Sequence, residues 1–253
     1  MMPALFVGHG SPMNALSNNS WTKTLNKLSD ILPRPKAILA ISAHWETEVT
    51  EVLTVKKPKT IHDFYGFPDQ LFQVQYPAPG DLELAHMLSQ RLGFHENTNW
   101  GLDHGTWSVL THMYPKADIP VVQLSLSRKL YLNQHFELGQ KLSFLRDEGV
   151  MILGSGNIVH NLRMLNWQEE AAKPHDWALG FDQKIKTALM EGNVETLTSY
   201  KGITEEEWKL SVPTPEHYLP LLYVAGAAKS GEEPRFPFEG FSMAALSMRC
   251  VVY

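Results

Sequence analysis

The sequence predicts an α/β fold: a single-domain mixed sheet spanning residues 1–253, with helices on both of its faces. Three observations point to it. Short apolar runs recur along the chain, most of them bounded by Gly, Pro or Ser, as buried strands should be. Longer stretches with helical spacing of their apolar residues lie between these runs. No internal repeat and no low-complexity segment interrupts the alternation.

Taken in order, Pro3–Val7 is the first expected strand. Ser20–Ile31 reads as a helix that stops before Pro33. Ala37–Ser42 and Glu51–Val55 are the next strands. The stretch Lys56–Pro79, which contains HDFYGFPDQLFQVQYPAPG, is too rich in aromatics and prolines for either regular element and reads as a long ordered loop; such loops are often functional. Asp81–Leu92 (DLELAHMLSQRL) is an amphipathic helix, with Asp81 as its N-cap and Gly93 past its end. Strand Val121–Leu126 follows, then helix Leu130–Asp147, strand Val150–Gly154 and helices Trp177–Glu191 and Glu216–Ala228. Glu232–Glu239 (EEPRFPFE) reads as a surface loop before a last strand within Ala244–Val252.

Composition narrows the function. The net charge is -5, and no Lys/Arg run forms a phosphate-tracking patch, which argues against nucleic acid as a partner. No apolar stretch reaches the roughly 18 residues of a membrane span. The first residues, MMPALFVGHGSP, carry no positive segment and too short an apolar run for a secretory signal. The single Cys250 allows neither an intrachain disulfide nor a multi-cysteine zinc site. A reducing, cytoplasmic setting is therefore expected. The oligomeric state is not readable.

Four histidines are the informative residues. His9 follows an apolar run in ALFVGHGSP, His44 follows another in AILAISAHW, and His160 lies a few residues past a third in VMILGSGNIVH. His217 sits in VPTPEHYLPLLY, where Pro213 and Pro215 stiffen the approach. Ligands of α/β proteins bind outside the carboxyl ends of the strands, and imidazole is the commonest metal ligand. These four side chains are therefore expected to converge on one metal. Three of them have a structural alternative: a turn residue for His9, a half-buried core residue for His44, a helix-terminal one for His217. GSGNIVHNL does not read as a nucleotide loop, because it has neither GxGxxG nor Walker A spacing, and no Lys follows. It fits better as a short loop presenting Asn157 and His160 to a cleft, while Trp45 walls the pocket. His104, in WGLDHGTWSVL, is a fifth candidate, either as an acid or base beside the metal or as part of a capped helix start. His62 is weaker, and His86, His95, His112, His135 and His175 are expected to be structural or exposed. No HExxH, CxxC, facial-triad or GxSxG pattern is present.

Together the motifs resemble those of the class III extradiol ring-cleaving dioxygenases, in particular the DOPA 4,5-dioxygenase branch. The resemblance covers nearly the whole chain through GHGSPM (Gly8–Met13), LPRPKAILAISAHW (Leu32–Trp45), TIHDFYGFP (Thr60–Pro68), YPAPG (Tyr76–Gly80), GLDHGTWSVL (Gly101–Leu110), DIPVVQLSL (Asp118–Leu126), GSGNIVHNLR (Gly154–Arg163) and VPTPEHYLPLLY (Val212–Tyr223). One departure is Val212, where related sequences often have Asn. The resemblance implies a LigB-like, phosphorylase/hydrolase-like version of the α/β fold. It implies one divalent metal ion held by His9, His44 and His217, with His160 as a further ligand or an acid/base and His104 as an acid/base lining the pocket. Zn(2+) is expected in the site as found and Fe(2+) in the working enzyme, since zinc has no redox chemistry. The implied reaction is extradiol cleavage of a catechol by O2, with Phe64, Tyr65 and Phe67 covering the ring. A zinc-dependent hydrolase on the same ligands and a non-catalytic metal-binding protein are the alternatives.

Overall fold

The computed structural model describes all 253 residues. In chain order the elements are β1 (Ala4–Gly8), α1 (Ser20–Ile31), β2 (Ala37–Thr47), β3 (Glu51–Leu53), α2 (Asp69–Phe72), α3 (Leu82–Leu92), β4 (His95–Asn97), α4 (His104–Met113), β5 (Val121–Ser127), α5 (Leu132–Leu142) and β6 (Val150–Gly156). They continue with α6 (Asp176–Met190), α7 (Val194–Ser199), α8 (Glu205–Ser211), α9 (Leu219–Gly226), β7 (Arg235–Phe238), β8 (Phe241–Ser242), β9 (Leu246–Ser247) and β10 (Cys250–Val252).

Eight strands form one mixed sheet in the order β4-β3-β5-β2-β6-β1-β10-β7. Its centre is parallel: β2 pairs with β5 and β6, and β6 pairs with β1. The antiparallel β10 and β7 extend one side, and β3 joins β5 antiparallel on the other. Strands β1, β5 and β6 are buried from end to end, and the central strands are mostly apolar, because both faces are covered. Alternation along them separates two cores. Phe6, Leu39, Ile41 and Ile152 face the layer of α3, α5, α6 and α9, whereas Leu5, Val7, Ile38 and Leu153 face α1 and α4.

The expected helices on both faces are present. Ser20–Ile31 is helical as read, with Asn19 and Thr22 forming a capping box. Asp81 caps α3, which ends at left-handed Gly93 (φ 73°). Four expectations need correction. Glu232–Glu239 is not only loop: Arg235–Phe238 is the edge strand β7, where Pro237 is tolerated because an edge strand need not donate on both sides. The helix expected over Leu130–Asp147 shortens to α5 and a 3-10 turn at Ser143–Arg146. The helix expected from Glu216 starts at Leu219, so His217 precedes it. Strand β2 runs on to Thr47, so His44 lies inside it, in a stretch where the register against β5 shifts between Ile41 and Glu46. Such irregularities re-aim side chains.

Candidate metal centre

The parallel strands β1, β2 and β6 end side by side, and each delivers one part of the site. His9 follows the last residue of β1, where its N–H donates to the Gly156 carbonyl at the end of β6. Its ring is 1% exposed. Ring Nδ1 lies 3.0 Å from Ser155 Oγ, and Ser155 Oγ in turn donates to the Gly105 carbonyl at 2.5 Å. A hydroxyl has one proton. With that proton committed to Gly105, Ser155 accepts from His9, so the His9 proton is on Nδ1 and the Nε2 lone pair is free.

His217 comes from the turn between Pro215 and α9. Its Nδ1 donates to Glu216 Oε1 at 3.0 Å, and Glu216 also accepts from Thr214 Oγ1 at 2.8 Å. This again leaves Nε2 as the free lone pair. The turn lies close against β6: a side chain at Gly156 would collide with the His217 carbonyl, so glycine is what lets the two segments meet. His44 reaches in from the irregular part of β2, with Nδ1 3.3 Å from Asp63 Oδ2. The ring centroids of His9, His44 and His217 are 5.0–5.3 Å apart.

The Nε2 atoms of His9 and His44 are 3.1 Å apart. His9 carries its proton on Nδ1, and His44 Nδ1 lies within ion-pair distance of Asp63. With both protons on Nδ1 the two Nε2 lone pairs face each other, an arrangement that a cation between them would satisfy. Protonation does not supply it. Burial first, then the positive charge its neighbours would carry, pushes the His9, His44 and His217 imidazoles well below the usual histidine range. They are neutral at pH 7, the form that binds metal.

His104 and His160 complete the cluster from opposite sides. His104 is the first residue of α4, and its ring is 3.8 Å from that of His44. Its Nδ1 and its backbone N–H bind the two oxygens of Asp63, each at 2.9 Å. The ligand atoms of His9, His44 and His104 lie within 4.8 Å of one another, as do those of His160, Glu216 and His217. The half-buried His160 stacks on His217, with centroids 3.5 Å apart and planes 6° apart. Burial and the nearby His104 lower its pKa to about 4. All five expected histidines are thus brought to one end of the sheet, in two adjacent groups that meet where His217 lies beside His9 and His44.

Several supporting residues were not anticipated. Asp63 and Glu216 adjoin histidines that sequence reasoning weighed, but nothing in the sequence shows that their carboxylates accept from imidazoles. Ser155 sits unmarked inside an apolar strand. Asp103 caps α4 and accepts from Ser42 Oγ at 2.7 Å and from Gln123. Burial, then the charge of Asp63, pushes its carboxyl up to about 6. Gly105 lies so close to Ser42 and His44 that a side chain there would strike both.

Other expectations change. Asn157 does not open onto a cleft: it is buried, and its Nδ2 donates to the Ser247 carbonyl at 2.8 Å. Trp45 does not wall the pocket, because alternation turns it into the core, where it stacks on Trp100. Phe64 packs edge-on against His104 at 5.5 Å and against Phe67 at 5.3 Å, but Tyr65 is 91% exposed and covers neither. His62 and His112 each give a ring nitrogen to a backbone carbonyl, of Val74 and Asn14.

Comparison with known proteins agrees with this architecture. The family model described as the catalytic LigB subunit of aromatic ring-opening dioxygenase matches residues 4–248. The 4,5-DOPA dioxygenase extradiol of Escherichia coli (strain K12) is 49% identical over 255 residues, which cover 99% of this chain and 94% of the relative. The 4,5-DOPA dioxygenase extradiol of Beta vulgaris is 42% identical over 237 residues, covering 88% of this chain and 85% of the relative. The crystal structure of an uncharacterized protein from Escherichia coli K12 has the same fold, with a TM-score of 0.86 at 44% identity, covering 100% of this chain and 99% of that one.

Proposed function

This chain belongs to the family of the catalytic LigB subunit of aromatic ring-opening dioxygenases, and from that premise we propose that it is an extradiol dioxygenase acting on a catechol such as DOPA. The observation that carries the site assignment is the convergence of neutral imidazole lone pairs, with two Nε2 atoms 3.1 Å apart. His9, His44 and His217 would hold the ion. Three imidazoles without a thiolate suit divalent iron or zinc equally well. Fe(2+) would supply the path by which electrons pass from the ring to O2, and Zn(2+) would occupy the same donors without that ability. The relatives whose printed names specify 4,5-DOPA support the choice of catechol.

The remaining residues handle protons and exclude water. Asp63 holds His104 by Nδ1, which leaves Nε2 to take the proton that a catechol hydroxyl releases on binding. His160, half-buried at the edge of the cluster, is placed to return a proton as the ring opens. To return a proton it must first take one up, as from the second catechol hydroxyl. Phe64, packed on His104 and backed by Phe67, Phe72 and Trp107, forms an apolar wall beside the base. Such a wall orients an aromatic ring and keeps bulk water from the reacting atoms.

The test is anaerobic reconstitution with Fe(2+), followed by oxygen uptake on a panel of catechols. The expected result is one O2 consumed per ring, with a yellow semialdehyde formed from L-DOPA. Turnover of an ester or amide by the zinc form, without oxygen uptake, would point to a hydrolase instead. Metal binding with neither activity would point to a non-catalytic protein.

A further inference from the structure

We propose that Asp63 is a positioning residue which sets the proton positions of two histidines at once, the metal-holding His44 and the base His104. This rests on the assignment of those two roles above. One oxygen, Oδ2, lies 2.9 Å from His104 Nδ1 and 3.3 Å from His44 Nδ1. The other, Oδ1, accepts the His104 backbone N–H at 2.9 Å. A carboxylate only accepts hydrogen bonds. The hydrogen bond fixes the His104 proton on Nδ1, and the close approach of Oδ2 to Nδ1 of His44 favours the same tautomer there, so that both rings turn an Nε2 lone pair away from Asp63. The two rings lie 3.8 Å apart, so a single anion serves two neighbouring groups that need the same tautomer for different purposes.

The shared oxygen makes one substitution unusually informative. In Asp63→Asn the amide oxygen must stay on the His104 N–H, because the flipped amide would set two donors against each other. The NH2 group then occupies the place of Oδ2 and points its two protons at both Nδ1 atoms. Both rings would have to become acceptors there and move their protons to Nε2. His44 would then offer the metal an N–H, and His104 could no longer take a proton. Asp63→Ala lacks this imposed reversal but also lacks the fixed acceptor, since water in its place can accept or donate, and so it leaves both tautomers open.

The experiment compares the full-length wild type, Asp63→Asn and Asp63→Ala by two readouts: Zn(2+) affinity of the metal-free protein, and histidine ring tautomers from 15N NMR. Thermal melts check that each variant is folded. Asp63→Asn is expected to weaken zinc binding by about 10–100-fold, more than Asp63→Ala does, and to move both rings from the Nδ1–H to the Nε2–H form. Asp63→Ala is expected to show a mixture of Nδ1–H and Nε2–H forms on both rings. Unchanged tautomers in Asp63→Asn, or an equal or greater zinc loss in Asp63→Ala, would overturn the proposal and leave Asp63 a packing residue. If Asp63→Asn fails to fold, the tautomers of Asp63→Glu decide: retained Nδ1–H on both rings supports the proposal, and reversal of either contradicts it. Both readouts are independent of turnover. An enzyme that cleaves no catechol but shows the expected reversal would overturn the reaction and leave the positioning role standing.

Discussion

Two places in this molecule bury histidine, and they differ in one respect. Where α5 packs on α9, His135 of α5 is fully buried, with Nδ1 3.0 Å from the hydroxyl of Tyr223 on α9. Burial lowers its pKa to about 4. At the far end of β1, β2 and β6, His9 and His217 are also buried, and burial is again the first cause of their depressed pKa values. By burial and titration alone the two places look alike. The difference lies in where the second nitrogen points. His135 Nε2 makes no hydrogen bond, and no second imidazole faces it, whereas His9 Nε2 faces His44 Nε2 at 3.1 Å. A lone buried imidazole is a core residue that tolerates its polarity, while imidazoles with opposed lone pairs form a set of metal donors. Convergence, rather than burial or perturbed titration, separates a site from a core.

The strongest way to break this comparison is to remove a donor from each place. His9→Ala and His44→Ala are expected to lose metal affinity by more than about 100-fold, beyond the effect typical of an outer-shell partner. His135→Gln should bind metal like the wild type, with Gln replacing the contact to Tyr223. Metal analysis after gel filtration reads this directly, and metal loss in His135→Gln would erase the distinction.

Next in size is the separation of holding from proton transfer within the cluster. His104→Ala is expected to retain the metal and to lose about 10²–10⁴-fold in catechol turnover, the usual contribution of a general acid–base group. Metal loss equal to that of His44→Ala would instead make His104 a ligand, as its ring distance of 3.8 Å from His44 allows.

The core histidine should show itself through pH. In the unfolded chain His135 titrates near about 6.5, and in the fold its pKa is lowered to about 4. The unfolded state therefore takes up the proton first. The stability contribution is complete above about pH 6.5 and is lost as the pH falls from there to about 4, by roughly 3 kcal/mol. Urea denaturation of the wild type and His135→Gln at pH 7 and pH 4.5 checks this. The variant should lose less stability on acidification, and an identical loss would mean that His135 does not titrate in this range.

The smallest expected effect concerns the acceptor behind His9. Ser155→Ala removes the group that fixes the His9 proton on Nδ1 and should weaken zinc binding by about tenfold. Unaltered zinc affinity would show that the backbone contact of His9 with Gly156 is enough to orient the ring.

Much of the fold was legible because the central strands are buried on both faces and their apolar runs are unmistakable, as with Val121–Ser127 and Val150–Gly156. Caps wrote the ends of α1 and α3 into the sequence through Asn19, Asp81 and Gly93. The edge strand β7 was hidden because an exposed strand with a proline has the composition of a loop. The three-residue strand β4 and the short helices α7 and α8 were hidden by length, since so few residues carry no clear period. In the site, the positions of His9, His44, His160 and His217 after strands or before a helix announced them, and the punctuated loop around His104 marked it as a fifth candidate. Asp63, Ser155 and Glu216 were not legible as partners. A carboxylate or hydroxyl that orients an imidazole is chosen by three-dimensional proximity, and Asp63 lies 41 residues from His104 and Ser155 lies 146 from His9. The glycines at Gly105 and Gly156 show the same limit, because the close approaches that require them involve distant segments.

The central claim is that the Nε2 atoms of His9, His44 and His217 share one metal ion. A crystal structure of the protein loaded with zinc tests it most directly. The account predicts one ion per chain, bound through Nε2 of these three residues at about 2.0–2.1 Å, with each Nδ1 still on Ser155, Asp63 and Glu216. An ion held through Nδ1, or centred between His160 and Glu216 without His9 and His44, would contradict it.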